Sequence, residues 1–181
     1  TDYANKMFAN LPEVTIGWIL VALIAVLLIG AAVGLVNGFF VAKFSLHPFI
    51  VTLSTQLMTY GVVLLFFNLN GNNGQPISGL SQEYKQFVSG ELFRLGNTAI
   101  PWYVVYAIIL TALMWFIWNK TTFGKNMFAV GSNPEAANVS GVNVKKTIIL
   151  VHTLAGAMYG LTGFIESARI GSNQANTGQN Y

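Results

Sequence analysis

Cysteine is absent from this 181-residue chain, and charged residues make up only 8% of it. Without thiols there is no disulfide, no thiol catalysis and no thiolate metal site. Soluble domains carry about a quarter charged residues, so a water-facing surface cannot be assembled from so few. The nine Lys and Arg outnumber the six Asp and Glu, but they are dispersed and form no basic stripe, which argues against a nucleic-acid partner. The phosphate-cradling pattern Gly-x-x-x-x-Gly-Lys-Ser/Thr is also missing. The chain is therefore expected to hydrolyse nothing and to hold no cofactor of its own.

What the chain does have is apolar sequence, at 54% of its residues. From Val14 to Ala42 no charge occurs, and an uncharged apolar run beyond ~18 residues reads as a transmembrane helix. A soluble core would have to wrap several helices that are hydrophobic all round, which a chain of this size cannot do while keeping a polar exterior. The expected fold class is all-α, a polytopic membrane helix bundle with four spans at residues 15–40, 48–67, 100–118 and 147–165. Each is long enough to cross a hydrocarbon core. Trp102 and Tyr103 bracket one end of the third span, with Trp115 and Trp118 at the other, as interfacial aromatic belts do. The chain opens on Thr1 rather than Met, which suggests a piece of a longer protein.

Four spans place their connecting loops alternately on two sides. One side collects Lys43, Lys120, Lys125, Lys145 and Lys146. The other mixes Lys6, Lys85, Arg94 and Arg169 with Asp2, Glu13, Glu83 and Glu91. Because short Lys/Arg-rich loops stay in the cytoplasm, residues 119–146 are expected inside, with residues 68–99 and Thr1 outside.

Gly30, Gly34 and Gly38 fall on one helix face, and Gly156 and Gly160, with Gly163 nearby, repeat the spacing. Such ladders let a neighbouring backbone approach closely, so their role is helix packing. On the second span Thr52, Thr55, Gln56 and Thr59 share a face. Polar groups in hydrocarbon need partners: they either bond to another helix or line a wet translocation path, which sugar hydroxyls would suit. His47 sits at the mouth of this span as an interfacial residue. His152 and Glu166 are separated by roughly 21 Å along a helix axis, too far for a catalytic or metal-binding pair, and Glu166 is placed to pair with Arg169.

Between the third and fourth spans, Phe123 to Val144 contains a short helix marked at both ends. Asn133 followed by Pro134 offers a polar cap and a proline at the first helical position, and Ser132 with Glu135 offers an alternative capping box. Gly141 suits a left-handed close. On physics alone this small-faced helix, carrying Ala136 and Ala137, is either a surface linker or an insert for a partner's groove.

That stretch resembles the coupling-helix loop of permease subunits of bacterial ABC sugar importers of the ribose and galactose type. Val33 to Phe40, and His47 with Pro48 to Gly61, are similar to the same family, and the likeness is closest to its galactose/methyl-galactoside branch. The external stretch Asn70 to Asn97 matches least. The resemblance implies a multi-pass subunit of the bacterial plasma (inner) membrane with roughly twice these helices. Its partners would be a second permease copy, an external sugar-binding protein and cytoplasmic ATPase subunits that hold the ATP and Mg. It further implies that Asn133, Pro134, Glu135, Ala136, Ala137, Ser140 and Gly141 form the contact with the ATPase. Two other classes compete. An ion-coupled secondary transporter would need an intramembrane ionisable group, for which only Glu166 near a span end offers itself. A membrane enzyme would need the convergent groups that the spacing of His152 and Glu166 denies.

Overall fold

A computed structural model describes residues 16–68, 74–95 and 98–177. In chain order the elements are α1 (Ile16–Phe44), α2 (Pro48–Asn68), β1 (Ile77–Ser78), α3 (Gln82–Ser89), β2 (Glu91–Leu95), β3 (Thr98–Pro101), α4 (Trp102–Lys120), α5 (Thr122–Ser132), α6 (Pro134–Val139), α7 (Val144–Ile170) and β4 (Ser172–Asn173). Helices α1, α2, α4 and α7 are each long and apolar enough to cross a membrane. Thr15, the expected start of the first span, and Asp2, Lys6 and Glu13 lie outside the described residues.

Helix ends are set by caps and packing rather than by the edge of the apolar run. Helix α1 continues past Phe40 to Phe44 because Val41 and Ala42 are still buried. Helix α7 begins at Val144, where the Asn143 side chain accepts from Lys146 N at 2.9 Å, and ends at Gly171, whose φ of 73° satisfies the left-handed close. It thereby carries Lys145, Lys146 and Arg169 within its length. Helix α4 starts two residues later than residue 100, since Ile100 is held in β3 opposite Phe93.

The two glycine ladders meet each other. Helices α1 and α7 run antiparallel in register, Gly30 against Gly156 and Gly160, Gly34 against His152 and Gly156, and Gly38 against Ile149 and His152. A Cβ on Gly38 would sit 2.8 Å from Ile149 Cα, and one on Gly156 2.9 Å from Gly34 Cα. Any side chain at these positions would force the helices apart. Gly163 is not part of this contact, for a Cβ there meets nothing within 4 Å.

Helices α2 and α4 are far less enclosed. Helix α2 leaves α1 through the three-residue turn Ser45–His47, with Ser45 at φ 53°, and buries only Val51 and Phe67. Beyond the turn, Leu57, Met58, Val62, Leu65 and Phe66 are all exposed, as are Ile108, Ile109, Trp115 and Phe116 on α4.

At the end opposite the five lysines, the described part of the stretch expected to be an external loop forms a short helix and strands. Ser81 caps α3 by accepting from Tyr84 N, and Val88, fully buried, packs with Ile19, Phe164 and Ala168. Tyr84 donates to the Phe164 carbonyl at 2.6 Å and Tyr106 to that of Phe87 at 2.8 Å. Burial pushes the Tyr84 phenol above its ordinary value of 10.0, so it remains a donor through the physiological range. Two small antiparallel sheets, β1–β4 and β2–β3, complete this end. The all-α scaffold thus carries a little strand at one end.

Gly34→Leu is expected to lower stability in detergent by about 1–3 kcal/mol or more through overpacking. Gly61→Ala, where an added Cβ meets no atom within 4 Å, should hold stability or raise it by at most about 1 kcal/mol. A denaturant titration in which both variants shift equally would remove the glycine contact as the organising feature.

Candidate coupling elbow and polar stripe

The chain between α4 and α7 is a run of two short helices whose corners are all polar-capped. Thr121 closes α4 and opens α5: its hydroxyl donates to the Ile117 carbonyl and accepts from Gly124 N at 3.1 Å. Gly124 sits against the carbonyls of Ile117 and Trp118 with no room for a Cβ, so the corner requires glycine. At the next corner Asn133 N donates to Ala129 O at 3.1 Å, while the Asn133 side chain accepts from Glu135 N and Ala136 N, each at 3.0 Å. Asn133 is therefore the cap, and Ser132 belongs to the last turn of α5. Pro134 occupies the first position of α6, where no donor is needed. At its far end Ser140 N and Oγ both donate to Ala136 O, and Gly141, at φ 84°, donates to Asn138 O.

These caps fix which residues face outward. Pro134, Glu135, Ala136, Ser140 and Gly141 are exposed, together with Asn133. Ala137 is only 4% exposed and points into its own chain, so as the structure stands it offers nothing to a partner. Val139, which sequence reasoning passed over, is 89% exposed. The signal was available: Val139 stands two positions from Ala137 in a six-residue helix, so burying Ala137 turns Val139 to the opposite side. Between α6, the α1–α2 turn and the start of α7 lies an open cleft of about 740 Å3, lined in part by Leu46, Pro48, Pro134, Glu135, Asn138 and Lys145.

The polar stripe on α2 divides in two. Thr55 is half-buried and donates to Asn37 Oδ1 across the helices at 2.6 Å, and Asn37 itself is buried. Thr55 thus ties α2 to α1. Thr52 satisfies its hydroxyl on the carbonyls of Pro48 and Phe49 within its own helix, and Thr52, Gln56 and Thr59 are exposed. Of the ionisable side chains, His152 Nδ1 lies 2.9 Å from Ile148 O, which requires the hydrogen on that nitrogen. Glu166 pairs with Arg169 at 3.2 Å, and His47 is exposed on the α1–α2 turn. Among the described residues no group of three His, Asp or Glu side chains is arranged to hold a metal ion.

Four apolar spans, a glycine-packed pair among them and a capped helical elbow at the lysine-rich end define a polytopic helical membrane protein. Residues 3–181 match the family described as branched-chain amino acid transport system / permease component, and the chain belongs to that family. With these spans it is a multi-pass protein of the bacterial inner membrane. It is 41% identical to the galactose/methyl galactoside import permease protein of Haemophilus influenzae, over 98% of this chain and 51% of that protein. Identity to the Escherichia coli protein of the same name is also 41%, over 99% of this chain and 52% of the relative. The Escherichia coli ribose import permease protein is 34% identical over 90% of this chain and 49% of its own length. The chain spans about half the length of the curated relatives it matches. No solved structure is a significant match.

Thr55→Val is expected to cost about 1–3 kcal/mol, because the buried Asn37 oxygen loses its donor. Thr52→Val breaks only bonds within one exposed helical turn and should cost less than about 0.5 kcal/mol. Thermal unfolding of the two variants in one detergent checks the difference, and equal losses would show that the Thr55 bond does not tie the helices.

Proposed function

We propose that this chain forms part of the membrane-spanning permease of an ATP-driven importer for a monosaccharide such as galactose or a methyl galactoside. The observation that carries the reading is the 41% identity, along nearly all of this chain, to import permeases named for those sugars. The capped elbow at the lysine-rich end supports it. A helix pinned at both ends by side-chain caps passes on a push without unwinding, as a coupling element must. In this reading residues 119–146 face the cytoplasm and α6 docks on an ATPase subunit, which carries the ATP and Mg. Closure of the ATPase pair on ATP would then tilt the spans between inward-open and outward-open states. A second permease copy and an external sugar-binding protein complete the assembly, and this subunit performs no hydrolysis itself.

The docking contact is assigned to Pro134, Glu135 and Ala136 with Val139 as its apolar anchor, and Ala137 is the residue that seats α6 on its own chain. The exposed part of the α2 stripe, Gln56 with Thr52 and Thr59, is assigned to the sugar path, since an amide facing lipid would be left without partners.

Val139→Asp should reduce both co-purification of the ATPase and ATP-driven uptake by about tenfold or more, as expected for a charge placed in a buried apolar contact, while leaving thermal stability unchanged. Gln56→Leu should lower uptake and leave ATPase co-purification intact. Normal uptake by the Val139 variant would refute the docking assignment, and single cysteines reactive from outside at position 125 but protected at position 85 would refute the orientation.

A further inference from the structure

The lysine-rich end of the bundle is charged in a way that neither the elbow nor the spans use. Lys43, Lys145 and Lys146 gather there because α1 ends beside the start of α7, and Lys120 and Lys125 lie on the α4–α5 corner that leads to α6 and α7. Glu135 is the one carboxylate at this end among the described residues. At the opposite end Glu83, Glu91 and Glu166 stand against Lys85, Arg94 and Arg169, with Glu91–Arg94 and Glu166–Arg169 bonded directly. No ion pair joins any of the five lysines to a carboxylate among the described residues.

Two of the five are held in the same way on different helices. Lys43 Nζ lies 5.0 Å from the centre of the Phe39 ring and 5.8 Å from that of Phe44. Lys120 Nζ lies 5.7 Å from the Trp115 ring. These rings are on the open side of the bundle: Phe39 is 41% exposed, Phe44 55% and Trp115 56%. Phe40 stacks on Phe44 beside the first site, and Phe116 and Trp118 are exposed around the second. Each site is thus an ammonium resting on aromatic faces at the end of an apolar span, with further apolar surface along that span.

A ligand that suits both parts must bring an anionic group for the ammonium and an aliphatic portion for the rings below it. Free phosphate supplies only the first. We infer that Lys43 with Phe39 and Phe44, and Lys120 with Trp115, form two binding sites for phospholipids with a net negative headgroup. The partner is chosen by charge complementarity, since five lysines facing one glutamate attract an anionic leaflet surface. The inference does not depend on the transport assignment, because it follows from the boundary position and charge alone.

The test uses the full-length protein extracted in mild detergent from membranes containing phosphatidylglycerol and phosphatidylethanolamine, with the retained lipid quantified by mass spectrometry. The wild type should retain phosphatidylglycerol enriched over its share of the membrane. Lys43→Gln and Lys120→Gln should each reduce that enrichment, by about fivefold for a lysine at the surface, and Lys→Arg at either position should restore it. Lys85→Gln at the opposite end should change nothing. No enrichment in the wild type, or enrichment unaffected by the Gln variants, would overturn the inference. Loss of ATPase co-purification in the Gln variants with lipid retention intact would overturn it as well, by assigning the lysines to an acidic protein face.

Discussion

At Gly30, Gly34 and Gly38 the backbone of α1 lies directly on that of α7, with no side chain between them. Inside a bilayer apolar side chains gain nothing by leaving lipid for protein, so helices associate through close packing and through polar groups that need partners. The glycine contact supplies the first in full. It places α1 and α7 as one rigid antiparallel pair, and each remaining element is positioned from that pair: the α1–α2 turn and the elbow at one end, α3 and the strands at the other. The second requirement is met once at the α1–α2 junction, by Thr55 donating to Asn37.

The same pair explains the unequal enclosure of the spans. Helix α4 buries no residue fully and is anchored at its ends. Near its start the Tyr106 hydroxyl donates to the Phe87 carbonyl and Trp102 N to the Gly90 carbonyl, and at its finish Thr121 turns it into α5. Helix α2 is tied to α1 only near their shared turn. The α1–α7 pair cannot deform without losing its contact, whereas α2 and α4 turn bulky apolar side chains outward along most of their length. Among the described residues, close helix approach thus follows the glycines.

Much of this was legible in the sequence, because in a membrane the dominant signals are length, charge and small-residue spacing. The four spans follow from uncharged runs, and the ladders at Gly30, Gly34 and Gly38 and at Gly156 and Gly160 follow from their period. That the two ladders face each other was not legible, since spacing identifies a face but not its partner. Gly163 fits the pattern yet meets nothing. The elbow was half readable. Asn133, Pro134 and Gly141 announce their roles through their chemistry, whereas the outward or inward rotation of a six-residue helix depends on tertiary contact. Hence Ala137 was read as a partner contact and lies buried, while Val139 was passed over and lies exposed. Helix α3 was missed because a short amphipathic helix in a polar stretch gives a weak signal beside long apolar runs, although Ser81 and the spacing of Tyr84, Phe87 and Val88 carried it.

The elbow itself shows why the cap residues matter more than helix propensity there. A helix of six residues is far below the length that holds together unaided in water, so α6 exists only because its unsatisfied backbone groups are met from outside it. Asn133 takes the first two free N–H groups, Pro134 has none to satisfy, and Ser140 and Gly141 return to the carbonyls of Ala136 and Asn138. Burial of Ala137 then fixes its rotation. Because Asn133 both closes α5 and opens α6, and Asn143 caps α7 two residues after Gly141, α6 joins α5 and α7 through hydrogen-bonded corners rather than slack loop. Helix α7 in turn meets α1 across the glycine contact, where no side chain can yield.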